Sequence, residues 1–360
     1  MAKPSQPRPI ARKEPAVPTL EMVAAAAGVS PSTVSRLLNG TAKVSADKRK
    51  AVESAIRKLD FVANPVASGL AGGRSRSIGV ITQALGSPFY GNGLLGIEDV
   101  LVESNYAPLY VSGHWRPRDE QRCLALLESR RVDGMIILTP SLPDADLLAL
   151  AQRVPLVVTG RSLLGPRLCS LDFDNTEGAR LATEHLIALG HTRIAFIKGT
   201  ASHPDAVERL RGYRIALKAH GIPFDAALTA QGHFIESGGA QATEALLAAD
   251  VKFTALLAAN DQMAYGAALA LYRRGLRVPE QVSLVGFDDL MGSSYTLPPL
   301  TSVRHSIHEI GRLAAHAVIA LIRGEPFSDP VPAPQLMVRE SCGPVAGSRR
   351  HGRTGTRQVV

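Results

Sequence analysis

Cysteine and tryptophan are scarce in this chain, with three of the first and one of the second in 360 residues. Cys123, Cys169 and Cys342 are odd in number and far apart, which excludes a disulfide framework and a paired-cysteine zinc site and suits a reducing compartment. No run approaches the roughly 20 apolar residues needed to cross a bilayer. The opening stretch Met1-Ala2-Lys3-Pro4-Ser5-Gln6-Pro7-Arg8-Pro9 has no apolar centre, so it is not a secretory signal. No Gly-x-Gly-x-x-Gly directly follows a strand pattern, and neither a phosphate loop nor a Gly-x-Ser-x-Gly elbow is found. Asp288, Asp289 and His203 form an acid–base set only on paper, because no nucleophile is placed beside them. An enzyme is therefore not expected, and no cofactor or metal is called for.

What the chain has is polarised charge. The net charge is +8. Residues 1–76 hold thirteen Lys/Arg against five Asp/Glu, and residues 344–360 hold four Arg and no acid, so the 267 residues between carry a net −4. A basic head on a mildly acidic body points to a polyanion at one end only. With 45% of residues hydrophobic, the length suffices for two or three cores.

Residues 1–17 are Pro-rich and basic without apolar period and read as a disordered arm. Residues 18–62 then show three helical patterns. Leu20 to Ala27 is closed by Gly28, with Thr19 as its cap. Ser30 can N-cap a second helix whose first position, Pro31, tolerates the missing N–H. In it Val34, Leu37 and Leu38 share one face, leaving Ser32, Thr33, Ser35, Arg36 and Asn39 as donors and acceptors suited to base edges and phosphates. A third helix runs from the cap candidate Ser45 to Leu59, flanked by Lys48, Arg49, Lys50, Arg57 and Lys58. Val23, Ala27, Val34, Leu37, Leu38, Val44, Val52, Ile56, Leu59 and Phe61 supply the core. Helix, glycine turn and second helix with a polar outer face is the helix-turn-helix pattern. Residues 63–76 read either as a plain linker or as a hinge that becomes helical only when bound. The helix that Asn64 and Pro65 would start is too short to stand alone.

From Ile78 the pattern alternates short apolar strands with helices, the mark of a doubly wound α/β body with parallel sheets. Strands are expected at Ile78–Thr82, Pro108–Ser112, Gly134–Thr139, Leu156–Thr159, Cys169–Phe173, Arg193–Lys198, Thr254–Ala259 and Val282–Phe287. Similar runs opening at Arg76 and His191 suggest two like lobes over residues 77–343, with a ligand cleft beyond the strand ends. Residues 344–360 read as a disordered basic tail.

With those residues in view, the chain resembles the lactose-repressor (LacI/GalR) family of bacterial transcriptional regulators over about residues 18–343. The likeness rests on Ala27-Gly28-Val29-Ser30, Thr33-Val34-Ser35-Arg36 and Leu38-Asn39-Gly40. It continues through Arg130-Arg131-Val132-Asp133-Gly134, Ala182-Thr183-Glu184-His185-Leu186 and Leu189-Gly190-His191. Glu208-Arg209-Leu210-Arg211-Gly212-Tyr213, Ala259-Asn260-Asp261-Gln262-Met263-Ala264 and Val285-Gly286-Phe287-Asp288-Asp289 complete the set. The order and spacing make the set specific, although any one motif is weak.

The resemblance implies a helix-turn-helix DNA-binding domain joined to a periplasmic-binding-protein-like body of two lobes. It implies a cytoplasmic, nucleoid-associated repressor that binds a palindromic operator as a homodimer under control of a small effector. Ser32, Thr33 and Arg36 are then expected at base edges, Thr19, Ser35 and Asn39 at phosphates or caps, and Leu70 as a wedge in the minor groove. Met22, Ser68-Gly69 and Ala71 depart from the family's usual residues. For the effector, Arg209, Asn260 and Asp288 are the polar candidates, Phe234 the stacking candidate, and Phe89 and Tyr90 the first lobe's contribution. His203 and Asp205 are placed to set specificity. His203 stands where purine-binding relatives carry Arg, which favours a sugar or glycoside. His114, Trp115 and Arg161 follow strands toward the cleft, and Asp174 is read as a helix cap. The alternative is a sugar-binding receptor module without DNA contact.

Overall fold

The computed structural model describes residues 18–38, 44–61 and 74–345. The chain divides into two compact units, one ending at Arg76 and the other beginning at Ser77.

The first unit holds α1 (Leu20–Ala27), α2 (Pro31–Leu38) and α3 (Ala46–Leu59). Thr19 caps α1, its Oγ1 accepting the Met22 N–H at 3.4 Å, and Gly28 ends the helix at φ 64°, the left-handed conformation that favours glycine. Ser30 caps α2, its Oγ accepting the Thr33 N–H at 3.3 Å. Ser45 stands at the N-cap position of α3, but its hydroxyl makes no cap hydrogen bond. Val23, Ala24, Val34, Val52 and Ala55 are buried, with Leu20, Ala27, Val29, Leu37, Leu38, Ile56, Leu59 and Phe61 packed around them. The expected core thus gains Leu20, Ala24, Val29 and Ala55. Val44 is half-buried and stands outside it. The small alanines let α1 and α3 approach, a contribution that a search for large apolar residues overlooks.

The second unit contains two sheets. The first is five-stranded and wholly parallel, in the order β2-β1-β3-β4-β5, from β1 (Ser77–Thr82), β2 (Ala107–Ser112), β3 (Gly134–Ile137), β4 (Leu156–Thr159) and β5 (Leu168–Leu171). Its side chains alternate. Ile78, Val80, Ile136 and Val157 join one core, while Ile81, Met135, Ile137, Leu156 and Val158 join another, so both faces are buried. Its connecting helices are α4 (Pro88–Glu103), α5 (Pro117–Ser129) and α6 (Asp144–Ala151).

From β5 the chain crosses into the second lobe. There it forms α7 (Asn175–Ala188), β6 (Ile194–Lys198), α8 (Pro204–Ala219), β7 (Thr229–Gln231), α9 (Glu236–Ala248), β8 (Ala255–Ala258), α10 (Asp261–Arg273), β9 (Ser283–Asp288) and β10 (Thr301–Arg304). It then crosses back. α11 (Ile307–Arg323) packs on α4 and on β3, β4 and β5 of the first lobe, and β11 (Gln335–Met337) returns to the second sheet. That sheet runs β11-β10-β9-β8-β6-β7 and is parallel except for β11, which pairs antiparallel with β10. The expectation of wholly parallel sheets is corrected at this edge.

β7, β10 and β11 were not anticipated. Two are three-residue edge strands, and β10 (Thr-Ser-Val-Arg) is too polar to read as a buried run. The spacing Gly91-x-Gly93-x-x-Gly96 lies inside α4, where Gly93 and Gly96 serve packing and Gly91 faces open space. A Cβ on Gly96 would stand 2.0 Å from the His308 carbonyl oxygen, and one on Gly311 would stand 2.2 Å from that of Gly93. Among the described residues no helix is long and apolar enough to cross a membrane.

Candidate functional site

Two surfaces concentrate the expected site residues. In the first unit, Val34 turns inward and is buried, so Ser32 and Arg36 on the other side of α2 are exposed, with Thr33 and Ser35 half-buried. The Ser30 hydroxyl lies 2.8 Å from Thr33 Oγ1 and 3.0 Å from Ser32 Oγ, and Arg36 Nε donates to the Ser32 carbonyl at 3.2 Å. Thr33 therefore serves the helix start as well as the exposed face. Thr19 is exposed at the cap of α1. Asn39 and Leu70 lie outside the described residues, as does the hinge except for residues 74–76.

In the second unit, the C-terminal ends of strands from both lobes face a cleft of about 700 Å³. All the expected effector residues line it: Phe89, Tyr90, His203, Asp205, Arg209, Phe234, Asn260 and Asp288. Trp115 and Arg161 line it too. His114 does not. It is exposed, and its Nδ1 lies 3.5 Å from Ser112 Oγ at the strand's own end.

Arg209 is the centre of the floor. It is 3% exposed, yet its guanidinium is amply partnered. Nε donates to Asn175 Oδ1 at 2.8 Å, and Nη1 donates to the Ala259 carbonyl and to Asp288 Oδ1 at 3.3 Å. Nη2 faces His305 Nδ1 at 3.3 Å, and the charge stacks 3.8 Å over the Phe287 ring. Burial and the neighbouring Arg209 charge hold His305 well below the usual imidazole range. A neutral ring whose Nδ1 accepts from Arg209 satisfies both observations. His305 also stacks on Phe173 at 3.8 Å between centroids.

Burial pushes the Asp288 carboxyl well up, and Arg209 pulls it part of the way back. Its backbone, at φ 109°, and that of Asp289, at φ 54°, are in the left-handed region. Two anchors hold them there. Asp289 pairs with Arg304 at 2.8 Å and Arg339 at 2.6 Å. Asp261 accepts from the Leu290 N–H at 2.8 Å and from the Ser293 and Ser302 hydroxyls, both at 2.6 Å. Burial lifts the Asp261 carboxyl to about 6.

The rest of the wall is assembled from caps and rings. Asn260 caps α10, accepting the Met263 N–H at 3.0 Å, and donates to the Phe234 carbonyl at 3.1 Å. One lone pair and one N–H remain for a ligand. His203 caps α8, its Nδ1 accepting the Asp205 N–H at 3.2 Å, and burial holds its pKa low. The Asp205 carboxylate is 3.9 Å from Arg209 Nη2 and 3.8 Å from His203 Nδ1, beyond hydrogen-bond reach of either. Tyr90 donates to Thr139 Oγ1 at 3.3 Å, and burial pushes its phenol well up. Asp174, as expected, caps α7 by accepting the Glu177 N–H at 2.8 Å. Arg161 pairs with Asp144 and donates to the Pro140 carbonyl at 2.9 Å.

Contacts also cross the cleft. Trp115 of the first lobe meets His203 of the second at 4.1 Å between centroids. Ser87 donates to Gln262 Oε1 at 3.3 Å, while Gln262 Nε2 donates to Glu236 at 2.9 Å. Ser87, Gln262 and His305 were not anticipated. Gln262 sits inside a motif already quoted, in the first turn after the cap Asn260. His305 follows the unrecognised strand β10, so no sequence signal marked it.

Residues 19–64 match the family described as bacterial regulatory proteins, lacI family, and residues 183–342 match the periplasmic binding protein-like domain. The transcriptional regulator GalR of Escherichia coli (strain K12) is 36% identical over 326 residues, covering 90% of this chain and 95% of GalR. The structure of a lac repressor dimer bound to operator and the anti-inducer ONPF has 33% identity and a TM-score of 0.82, covering 90% of this chain and 99% of that one. A complex of the transcriptional regulator CelR with cellobiose has 37% identity and a TM-score of 0.66, with the same coverage of 90% and 99%.

Proposed function

The chain belongs to the lacI family of bacterial regulatory proteins and is a DNA-binding transcriptional regulator, and from that premise we propose a repressor switched by a sugar or glycoside held between its lobes. It binds a near-palindromic operator as a homodimer in the cytoplasm, with one α2 in the major groove of each half-site. Ser32, Thr33 and Arg36 meet base edges, and Thr19, Ser35 and Asn39 meet phosphates or brace the helix ends. Leu70 enters the minor groove. The exposed donors on α2 and the basic excess of residues 1–76 support this half of the reading.

The observation that carries the effector half is the convergence of Asp205, Arg209 and Asp288 with Phe89, Tyr90, Trp115 and Phe234 on one cleft. Sugar hydroxyls occur in adjacent pairs and need neighbouring donors and acceptors, while the ring's C–H face needs an apolar wall. Arg209, already braced by its partners, has one Nη2 N–H left to present, and Asp205 has carboxylate oxygens to accept. Occupancy biases the angle between lobes and so changes operator affinity. Couplings of this kind are typically about 1–3 kcal/mol and reciprocal. The relatives to which the chain is similar are regulators, and the cleft is read here as a receptor without turnover.

The test is to recover genomic fragments on the purified protein, sequence them, and repeat the capture with candidate sugars. One enriched near-palindromic motif, whose retention changes with a sugar, is the expected result. No preference for any fragment over random competitor would sink the reading. Calorimetry on Arg209→Ala and Asp288→Ala tests the cleft, where unchanged sugar affinity removes both residues from the site.

A further inference from the structure

Most helices of the second unit close on a left-handed residue of a kind for which that backbone is cheap. These residues are Asn105 after α4, Gly190 after α7, Gly221 after α8, Asp250 after α9, Gly275 after α10 and Gly324 after α11. After α5 the same position is held by Arg131, at φ 53°. Arg167, directly ahead of β5, is left-handed too, at φ 56°. Backbone of this kind is costly for arginine, and the turn does not ask for its side chain. The Arg131 N–H donates to the Glu128 carbonyl at 2.9 Å, just as the Gly190 N–H donates to that of Ile187 at 2.8 Å. Glycine would serve the backbone better.

The arginines gather at one edge. β3 and β5 lie two strand spacings apart, about 10 Å, and both arginine turns lead into the N-terminal edge of the first sheet. Arg130, Arg131 and Arg167 are exposed, and none of the three has an ion-pair partner among the described residues. Ahead of β4, between them, Arg153 is neutralised by Glu128 at 3.0 Å. Asp133, just before β3, is half-buried and already partnered. A cation at a helix C-terminus complements the helix dipole, which is reason enough for Arg130. It does not account for Arg167, which follows no helix. Nor does it explain why the left-handed helix ends of the second lobe carry no cation. At that lobe's corresponding end, Arg193, Lys252 and Arg274 pair with Asp225, Asp250 and Glu244.

We propose that Arg130, Arg131 and Arg167 form a second DNA contact, a sequence-blind grip on the phosphates of the duplex that the helix-turn-helix reads. The proposal rests on the DNA-binding reading and extends it to the two-lobed unit. A guanidinium fork matches the oxygens of a phosphate, and these three have no carboxylate to satisfy them. The duplex is the polyanion within reach. The chain enters the unit at this same edge, since β1 opens at Ser77. With Leu70 in the minor groove, at most about 25 Å of extended chain separates Ser77 from the DNA. Phosphate contacts carry no base information, so the grip strengthens every operator variant alike.

The experiment is fluorescence anisotropy of the full chain on a duplex recovered by the genomic capture, between 50 and 200 mM salt, with Arg130→Gln/Arg131→Gly/Arg167→Gly as the variant. Glycine at the two left-handed positions relieves the backbone, so folding is kept. Arg131→Asn/Arg167→Asn is a second variant that also tolerates the conformation. The slope of log affinity against log salt falls by about 0.9 for each phosphate released, about 1.8 per arginine in a dimer. Affinity at 50 mM salt drops about tenfold or more, equally for matched and mismatched operators. Arg211→Gln, which removes an exposed arginine of α8, leaves the slope unchanged. Parental slope and affinity in both variants overturn the proposal, leave the DNA reading standing and turn attention to an acidic protein partner. A loss confined to the matched operator, or an equal loss in Arg211→Gln, overturns it as well. No duplex captured by the parent protein overturns both readings.

Discussion

Replacing Arg209 with Met removes the group on which the cleft floor is built. The side chain is 3% exposed, and most of its N–H groups are taken by protein acceptors. Asp288 loses its cationic partner at 3.3 Å, and the Asn175 side-chain oxygen and the Ala259 carbonyl lose donors. Breaking a buried pair from one side typically costs about 3–5 kcal/mol. Asp288→Asn is milder, about 1–3 kcal/mol, because Arg209 keeps its remaining acceptors and the carboxyl is already pushed toward its neutral form by burial. The double variant leaves no uncompensated charge between these two positions. Its loss should fall short of the summed single losses by about 1–3 kcal/mol. Urea denaturation followed by Trp115 emission reads this, since the sole tryptophan belongs to the second unit. The pH trend is a second check. Without Arg209 the folded-state carboxyl of Asp288 rises further above its unfolded value, so the folded state takes up a proton that the unfolded chain does not. Arg209→Met should therefore recover stability relative to the unsubstituted protein as pH falls toward 4. Additivity within about 0.5 kcal/mol, with no pH trend, would refute the account of the floor.

The depressed pKa of His305 gives a trend of opposite sign. The unfolded chain protonates this residue below about 6.5 while the folded one does not, so its stabilisation is complete above that pH and is lost below it. His305→Gln should flatten the acid limb of the stability curve by up to about 1.4 kcal/mol per pH unit, measured as the difference between variant and parent. That difference cancels the opposing contribution of Asp261, whose raised carboxyl favours the folded state as pH falls through about 6. Gly96→Ala forces a methyl against the His308 carbonyl and should part α4 from α11, costing about 1–3 kcal/mol or more. An unchanged melting temperature would show that the helices yield freely. Arg36→Ala should weaken operator binding by about 1–3 kcal/mol and relax preference at one base pair, read by anisotropy on operator variants. Uniform weakening across all variants, with a shallower salt slope, would instead make Arg36 a phosphate contact.

The parts legible in the sequence are those governed by local rules. Thr19, Gly28, Ser30 and Asp174 act at helix ends, and capping needs only a few neighbours. The inner strands are continuous apolar runs because both faces of each sheet are covered, which makes them readable in isolation. β7, β10 and β11 are short or polar and owe their existence to pairing with a neighbour, which no local window contains. The cleft divides in the same way. Asn260 and Asp288 end recognisable strands, whereas His305 follows a strand that went unseen. Arg209 was expected to contact ligand. That it also ties together α7, α8, β9 and the segment after β10 follows only from distances.

The chain passes between the lobes three times, after β5, after β10 and after α11, so neither lobe is a continuous piece of polypeptide. Neither can be completed on the ribosome before most of the other exists, because the first sheet waits for residues 307–323 to cover its face. A gene truncated near residue 306 would leave that sheet bare and prone to aggregate, and would not yield a working half-receptor. The three passages are covalent ties between the jaws, so any change in their separation must be absorbed by the segments that follow β5, β10 and α11.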